Sequence, residues 1–141
     1  MFTKTNNTML VNEVMLDQSH IPVIKEAVIF KEALEEMGQA KLGIVCVIND
    51  ENNLLGILTD GDIRRKLLKV QKPFSAFFVD DALDHAILAP LTINPNETLI
   101  KAINIMEQKK IWDLPVVDNK DKLVGLLHLH PAVKALLGGS K

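Results

Sequence analysis

The chain has 141 residues, 48% hydrophobic and 24% charged, a balance typical of a globular protein, and its core must be aliphatic because aromatics make up only 4%. A net charge of −2 excludes the basic excess that nucleic-acid binding requires. The single Cys46 excludes an internal disulfide, and no apolar run reaches the roughly 18 residues of a membrane span, so we expect a soluble, cytoplasmic protein without a membrane partner.

The first half of the chain carries strand and helix patterns after a start that has none. Residues 1–13 are predicted to be an N-terminal lead-in or linker. An extended piece at residues 21–24 precedes a helix, because apolar residues then recur with the i, i+3, i+4, i+7 spacing of one buried helical face. Those residues are Phe30, Ala33, Leu34 and Met37.

Two apolar runs and a short helix follow. Residues 44–48 are continuously apolar, which is typical of a strand buried on both faces. A polar turn separates this run from a second one at residues 54–58, and a closing helix is predicted over residues 62–69. The first half therefore predicts the element order β-α-β-β-α.

The second half repeats this order after a shift of 69 residues, without a gap. Residues 24–68 fall on residues 93–137, and the apolar positions match almost throughout. Between the two copies, residues 70–82 are predicted to be a connector, in which Phe77 and Phe78 cover an exposed face.

The second copy carries its own helix signals. Asn94 or Asn96 is predicted to cap the first helix, with the acidic Glu97 in its first turn. Strands are expected at residues 91–93, 114–117 and 123–127, and a closing helix over residues 131–137. Pro131 suits the first turn of that closing helix.

Residues 56–63, Gly-Ile-Leu-Thr-Asp-Gly-Asp-Ile, resemble the signature of the CBS domain, which is a glycine, two apolar residues, Thr or Ser, two variable residues and Asp. Together with the repeat, the signature resembles a tandem CBS pair, or Bateman module. The resemblance implies an α/β (α+β) fold of two β-α-β-β-α repeats with pseudo-two-fold symmetry. The predicted domains are then residues 14–69 and residues 83–138.

A narrower resemblance involves residues 41–43, 59–65 and 125–130, which are similar to the C-terminal CBS pair of arabinose-5-phosphate isomerases. Those enzymes supply the Kdo sugar pathway, and the resemblance places their catalysis in an N-terminal sugar-isomerase domain. Nothing in this chain corresponds to that domain. The sequence also lacks a phosphate-loop glycine motif, spaced metal ligands and a nucleophile with a base, so we expect no catalytic activity and no cofactor.

The signature residues of the first copy are suited to a phosphorylated ligand. Thr59 ends a strand just before a helix, where free backbone N–H groups favour an anion, and its hydroxyl can bond to phosphate or ribose. The carboxylate of Asp62 can accept both hydrogens of a ribose diol, and the family uses these two positions in this way. The predicted ligand-binding residues here are Thr59, Asp60, Gly61, Asp62, Arg64 and Arg65. The alternatives are that the Thr-Asp pair only caps the helix and that the two arginines are a solvated surface pair.

The second copy departs from the signature, because His128, His130 and Pro131 replace Thr59, Gly61 and Asp62. Proline cannot hold a ribose diol, so the second site is either empty or contacts a different part of the ligand. An H-x-H pair can bind a metal, but no third ligand is evident, so we expect no metal and a polar lining of the ligand site instead. Thr92 and Asp113 match site-edge positions of the family and are further ligand-binding candidates.

The sequence thus predicts a regulatory CBS pair that senses a nucleotide or nucleotide sugar, either AMP- or ATP-like or CMP-Kdo-like. It would be related to, or part of, an arabinose-5-phosphate isomerase. The alternative is a non-binding assembly or dimerisation module of a larger sugar-phosphate isomerase or nucleotidyltransferase. A homodimer is expected in either case, because CBS pairs commonly associate through helix faces.

Overall fold

The computed structural model describes residues 8–69 and 73–138, apart from the Phe74 side chain. In chain order, the strands are β1 (Leu16–Asp17), β2 (Val23–Lys25), β3 (Ile44–Ile48), β4 (Leu54–Thr59), β5 (Ile87–Leu88), β6 (Asp113–Val117) and β7 (Leu123–His128). The α-helices are α1 (Phe30–Ala40), α2 (Asp60–Lys69), α3 (Phe74–Phe78), α4 (Leu99–Lys109) and α5 (Leu129–Leu136). In these ranges no helix is both long and apolar enough to cross a bilayer.

These elements form two compact units. The first-repeat unit takes in residues 20–69 and 73–90, and the second-repeat unit takes in residues 8–19 and 91–138. The first-repeat unit has the predicted order β-α-β-β-α in β2, α1, β3, β4 and α2. In the second-repeat unit the predicted strand at residues 91–93 is reduced to a single parallel bridge between Ile93 and Val116.

Each unit is built on one sheet. In the first-repeat unit the strand order is β2-β3-β4-β5, with β2 parallel to β3 and the other pairs antiparallel. In the second-repeat unit the order is β1-β7-β6, with both pairs antiparallel. The two hairpins share one register, since Ile44 pairs with Thr59 in one unit and Asp113 pairs with His128 in the other.

The predicted domain boundaries at residues 14, 70 and 83 differ from the division of the chain into units. Residues 8–19 belong to the second-repeat unit, where β1 pairs with β7 and Val11 is fully buried. Residues 73–82 of the predicted connector belong to the first-repeat unit instead, together with residues 83–90, whereas residues 70–72 lie outside the described residues. The physical reason is that β4 and β7 each need a neighbour along their outer edge, and β5 and β1 supply it.

Each unit has its own cluster of buried apolar side chains. As predicted, the face formed by Phe30, Ala33 and Met37 is buried, and so is Cys46 in β3. The connector ring of Phe77 is 1% exposed and packs against Phe30, with the ring centroids 6.4 Å apart. This ring thus covers an apolar part of the core of the first-repeat unit, and the half-buried Phe78 packs against the same core.

The predicted cap of α4 is wrong. The helix begins at Leu99, and Thr98 caps it, because the Thr98 hydroxyl accepts the backbone N–H of Lys101 at 3.3 Å. Asn94 instead closes the preceding turn, where its Oδ1 accepts the N–H of Asn96 at 2.9 Å. Asparagine is the better helix cap in general, but here its side chain is used by the turn, and the threonine next to the helix caps it.

Candidate functional site

Thr59 lies at the junction between β4 and α2, where the signature predicts it. As the last residue of β4 it pairs with Ile44, and Asp60 then begins the helix. The Thr59 Oγ1 accepts the backbone N–H of Asp62 at 3.3 Å and donates its own hydrogen to Asp62 Oδ2 at 2.6 Å. Thr59 and Asp62 therefore cap α2 as a pair, and both side chains remain partly accessible.

Arg65 completes this small cluster. Its Nη2 donates to the other carboxylate oxygen of Asp62, Oδ1, at 2.5 Å. The guanidinium also lies over Gly61, since a Cβ placed on that glycine would be 3.2 Å from Arg65 Nη1. The structure thus brings together Thr59, Gly61, Asp62 and Arg65, and we call these four residues the Thr59–Asp62 cluster.

Asp60 and Arg64 line a different feature of the same unit. They border an open surface groove of about 400 Å³ between α1 and α2. The remaining lining residues are apolar, namely Leu34, Ile63, Leu67 and Leu68. The prediction grouped the two arginines, but consecutive positions on a helix project about 100° apart, and only Arg65 pairs with Asp62.

The second repeat carries a hydrogen-bonded pair at the equivalent ladder position. His128 Nδ1 donates to Asp113 Oδ1 at 2.7 Å, with the two side chains 30% and 10% exposed. The bond uses Nδ1, so Nε2 is the ring nitrogen that His128 has left for another partner. Two residues predicted separately as ligand-binding candidates are therefore a bonded pair, and the register of the β6–β7 hairpin brings them together.

The other candidates of the second repeat are less closely grouped. His130 is exposed in the first turn of α5, and Pro131 follows it at the position equivalent to Asp62. Thr92 is half-buried in the segment before Ile93. Within the part of the chain that the structure describes, no three His, Cys, Asp or Glu side chains are grouped closely enough to hold a metal ion.

His85 is held in a fixed position in the first-repeat unit. Its side chain is 8% exposed and lies against Phe30 and Phe77, with ring centroids 5.0 and 5.2 Å away. Its Nε2 is 2.8 Å from Asp80 Oδ2, whereas its buried Nδ1 has no hydrogen-bond partner. Nothing in the sequence distinguished this histidine, because the contacts that fix it are made by the connector as it folds back on α1.

Comparison with known families identifies both repeats. The family model described as CBS domain matches residues 11–69 and residues 83–137. A Helicobacter pylori protein is 37% identical over 118 residues, which cover 82% of this chain and 34% of that protein. The arabinose 5-phosphate isomerase KdsD of Escherichia coli is 28% identical over 127 residues, which cover 89% of this chain and 37% of the enzyme. The chain therefore spans about a third of the length of the curated relatives that it matches.

Solved structures with the same fold include one that holds a nucleotide. The crystal structure of CBSX2 in complex with AMP has a TM-score of 0.80 and 27% identity, and the match covers 94% of this chain and 99% of that one. A second structure of CBSX2, from Arabidopsis thaliana, has a TM-score of 0.78, 26% identity and coverage of 92% and 95%. The CBS pair of MJ0100, solved with 5′-methylthioadenosine and S-adenosylmethionine, has a TM-score of 0.76 at 19% identity and supports the fold alone.

Proposed function

The chain belongs to the CBS domain family, and from this premise we propose that it is a regulatory module whose first repeat binds a nucleotide or a nucleotide sugar. The observation that carries the proposal is the pair formed by Thr59 and Asp62 at the junction of β4 and α2. The AMP complex of CBSX2, a relative of 27% identity over nearly the whole chain, supports a nucleotide as the ligand. We place catalysis outside this chain.

The chemistry of the cluster suits a phosphorylated ribose. The first turn of α2 has backbone N–H groups that face away from the helix, and such groups favour an anion. Two of them have partners already, since Asp60 donates to Gly43 and Asp62 donates to Thr59 Oγ1. The Thr59 hydroxyl is positioned at that turn and can bond to a phosphate or ribose oxygen. The Asp62 carboxylate is 30% exposed, which leaves it able to accept a vicinal diol from solvent.

Isothermal titration of the protein with AMP, ATP, CMP and CMP-Kdo tests this proposal. We expect at least one of these ligands to bind, and the double variant Thr59→Ala/Asp62→Ala to weaken that binding by about tenfold or more. The physical reason is that hydrogen bonds to a charged group contribute about 1.5–3 kcal/mol each, and about 1.4 kcal/mol equals one factor of ten.

The control is Thr98→Ala, which removes the threonine cap of α4, the first helix of the second repeat. Like the double variant, this variant loses a helix cap, but Thr98 lies outside the Thr59–Asp62 cluster. The Thr98→Ala protein should therefore bind the ligand with the affinity of the wild type. Unchanged affinity in the double variant would overturn the assigned site.

We also propose that the ligand regulates a sugar-phosphate isomerase of Kdo synthesis, on the strength of the relation to KdsD. A ligand shifts an attached enzyme only by its difference in affinity for two states of the module. An end product of that pathway is a chemically sensible signal, so CMP-Kdo should bind more tightly than AMP, ATP and CMP in the same titration series. Tighter binding of AMP or ATP would instead indicate a sensor of adenine nucleotides.

A second candidate function is assembly of a larger enzyme, with no ligand bound. The groove between α1 and α2 favours it, because Leu68 on its rim is 81% exposed and the equivalent Leu137 of the second repeat is 75% exposed. Asp60 and Arg64 both line the groove, so Asp60 of one copy of the chain could form an ion pair with Arg64 of a second copy. A thermal-shift screen separates the two functions, since a pure assembly module gains no stability from any nucleotide.

A further inference from the structure

The Asp62 carboxylate has both oxygens engaged within the protein. Oδ2 accepts the hydroxyl of Thr59 at 2.6 Å, and Oδ1 accepts the guanidinium of Arg65 at 2.5 Å. A ribose diol must bind to this carboxylate, and each of its two oxygens already has a partner within the protein. Arg65 therefore competes with the diol for Asp62.

The position of the guanidinium over Gly61 extends this competition to the start of the helix. A Cβ on Gly61 would lie 3.2 Å from Arg65 Nη1 and 3.4 Å from Nη2, so the glycine leaves room for the arginine to lie across the first turn of α2. The same turn presents the backbone N–H groups suited to a phosphate. One side chain thus lies beside both places where a nucleotide would bind.

The contact is also weak enough to be exchanged. The Arg65 side chain is 62% exposed and that of Asp62 is 30% exposed. Ion pairs at such exposure contribute little, so opening this one reduces affinity for a ligand by about fivefold at most. A phosphate offers the guanidinium a partner of the same geometry in return, with two parallel hydrogen bonds. A ligand without a phosphate offers no such exchange.

Resting on the function proposed above, we propose that Arg65 determines specificity for phosphorylated ligands by closing the Asp62 carboxylate until a phosphate draws the guanidinium away. The second repeat lacks both residues of this ion pair. The position of Arg65 is there taken by Lys134 and that of Asp62 by Pro131, so the carboxylate and the forked guanidinium are both missing. The selection is therefore a property of the first repeat alone.

The test compares AMP with adenosine, which differ only in the phosphate. In the wild type AMP should bind more tightly than adenosine. Arg65→Met keeps most of the length of the side chain and removes its charge. In this variant the affinity for AMP should fall about tenfold and the affinity for adenosine should rise up to about fivefold, so that the preference for AMP is lost. The gain for adenosine is the decisive result, because a merely structural role of Arg65 would weaken both ligands.

Lys69→Met is the matched control, since it removes one positive charge from the exposed last turn of the same helix. It should leave the ratio of the two affinities at the wild-type value. If the wild type binds AMP and Arg65→Met keeps the wild-type ratio, or weakens both ligands equally, this inference is overturned while the proposed function stands. If the wild type binds no nucleotide at all, the proposed function is overturned and this inference with it.

Discussion

Gly56 and Gly125 occupy the same position in the two repeats, and their surroundings explain why a glycine stands there. A Cβ on Gly56 would lie 2.8 Å from the carbonyl oxygen of Ile87 in β5, and a Cβ on Gly125 would lie closer still to that of Leu16 in β1. Both distances are shorter than real Cβ contacts. The first residue of the signature is therefore a glycine because only a residue without a side chain leaves room for the edge strand of each sheet.

Gly125→Ala should destabilise the protein by about 1–3 kcal/mol, because the added methyl group meets a backbone carbonyl that cannot move without breaking the pairing of β1 with β7. Urea unfolding followed by circular dichroism measures the change. The comparison variant is Gly38→Ala, since a Cβ at this α1 position meets nothing within 4 Å. It should stabilise the protein by about 0.5–1 kcal/mol. Equal effects of the two alanines would contradict the packing argument.

At the scale of elements, the segment before each repeat packs on the other repeat. The N–H of Leu99 donates to the carbonyl of Met9 at 2.7 Å, and the N–H of Phe30 donates to that of Asp80 at 2.8 Å. The segments extend alike, because Val11 donates to Glu97 as Ala82 donates to Val28. Residues 8–17 thus correspond to residues 79–88. The first segment completes the second-repeat unit, and the second segment completes the first-repeat unit.

Val11→Ala should cost about 2 kcal/mol, because the side chain is fully buried in the core of the second-repeat unit. In hydrogen-exchange measurements, protection should fall first at the amides of β7, because the pairing of β7 with β1 depends on this segment. Val79→Ala serves as the control, since Val79 is 72% exposed in the connector and its loss should change stability by less than about 0.5 kcal/mol. Equal costs for the two valines would show that the segment is not part of the core.

The sequence predicted the elements of each repeat but not this exchange of segments. The shift of 69 residues was visible because apolar side chains recur at matching positions of α1 and α4 and of the hairpins. Residues 8–17 match residues 79–88 at a shift of 71 residues without one identical pair, so only the backbone pattern is shared. Main-chain hydrogen bonds place few requirements on side-chain identity, so this correspondence is not visible in the sequence.

The candidate site was predictable only where its contacts are local. Thr59 and Asp62 are three residues apart at a helix start, a spacing that predicts their mutual bond. The separation of Arg64 from Arg65 follows from helical geometry, but which face meets the groove depends on how α2 packs on α1. The bond between Asp113 and His128 needed the register of the β6–β7 hairpin, which the sequence left open.

At the scale of the whole molecule, both repeats expose an apolar position at the end of their closing helix. Leu68 and Leu137 are equivalent in the repeat, and each is at least three-quarters exposed. Exposed leucines are ordinary when single, but here the same repeat position is exposed in both copies. Burial against a second copy of the chain gives both positions one explanation.

For the assembly function proposed above, we expect the wild type to sediment as a dimer and the double variant Leu68→Glu/Leu137→Glu as a monomer. The physical reason is that the added charges would be buried where two copies associate, and sedimentation velocity measures the difference. The thermal midpoint of unfolding at low protein concentration should stay near that of the wild type, since neither leucine is buried within its own unit. Leu88→Glu is the control, as Leu88 is 63% exposed on the edge strand β5. If Leu88→Glu dissociates the protein and the helix variant does not, association occurs along the sheet edge, where exposed strands also pair.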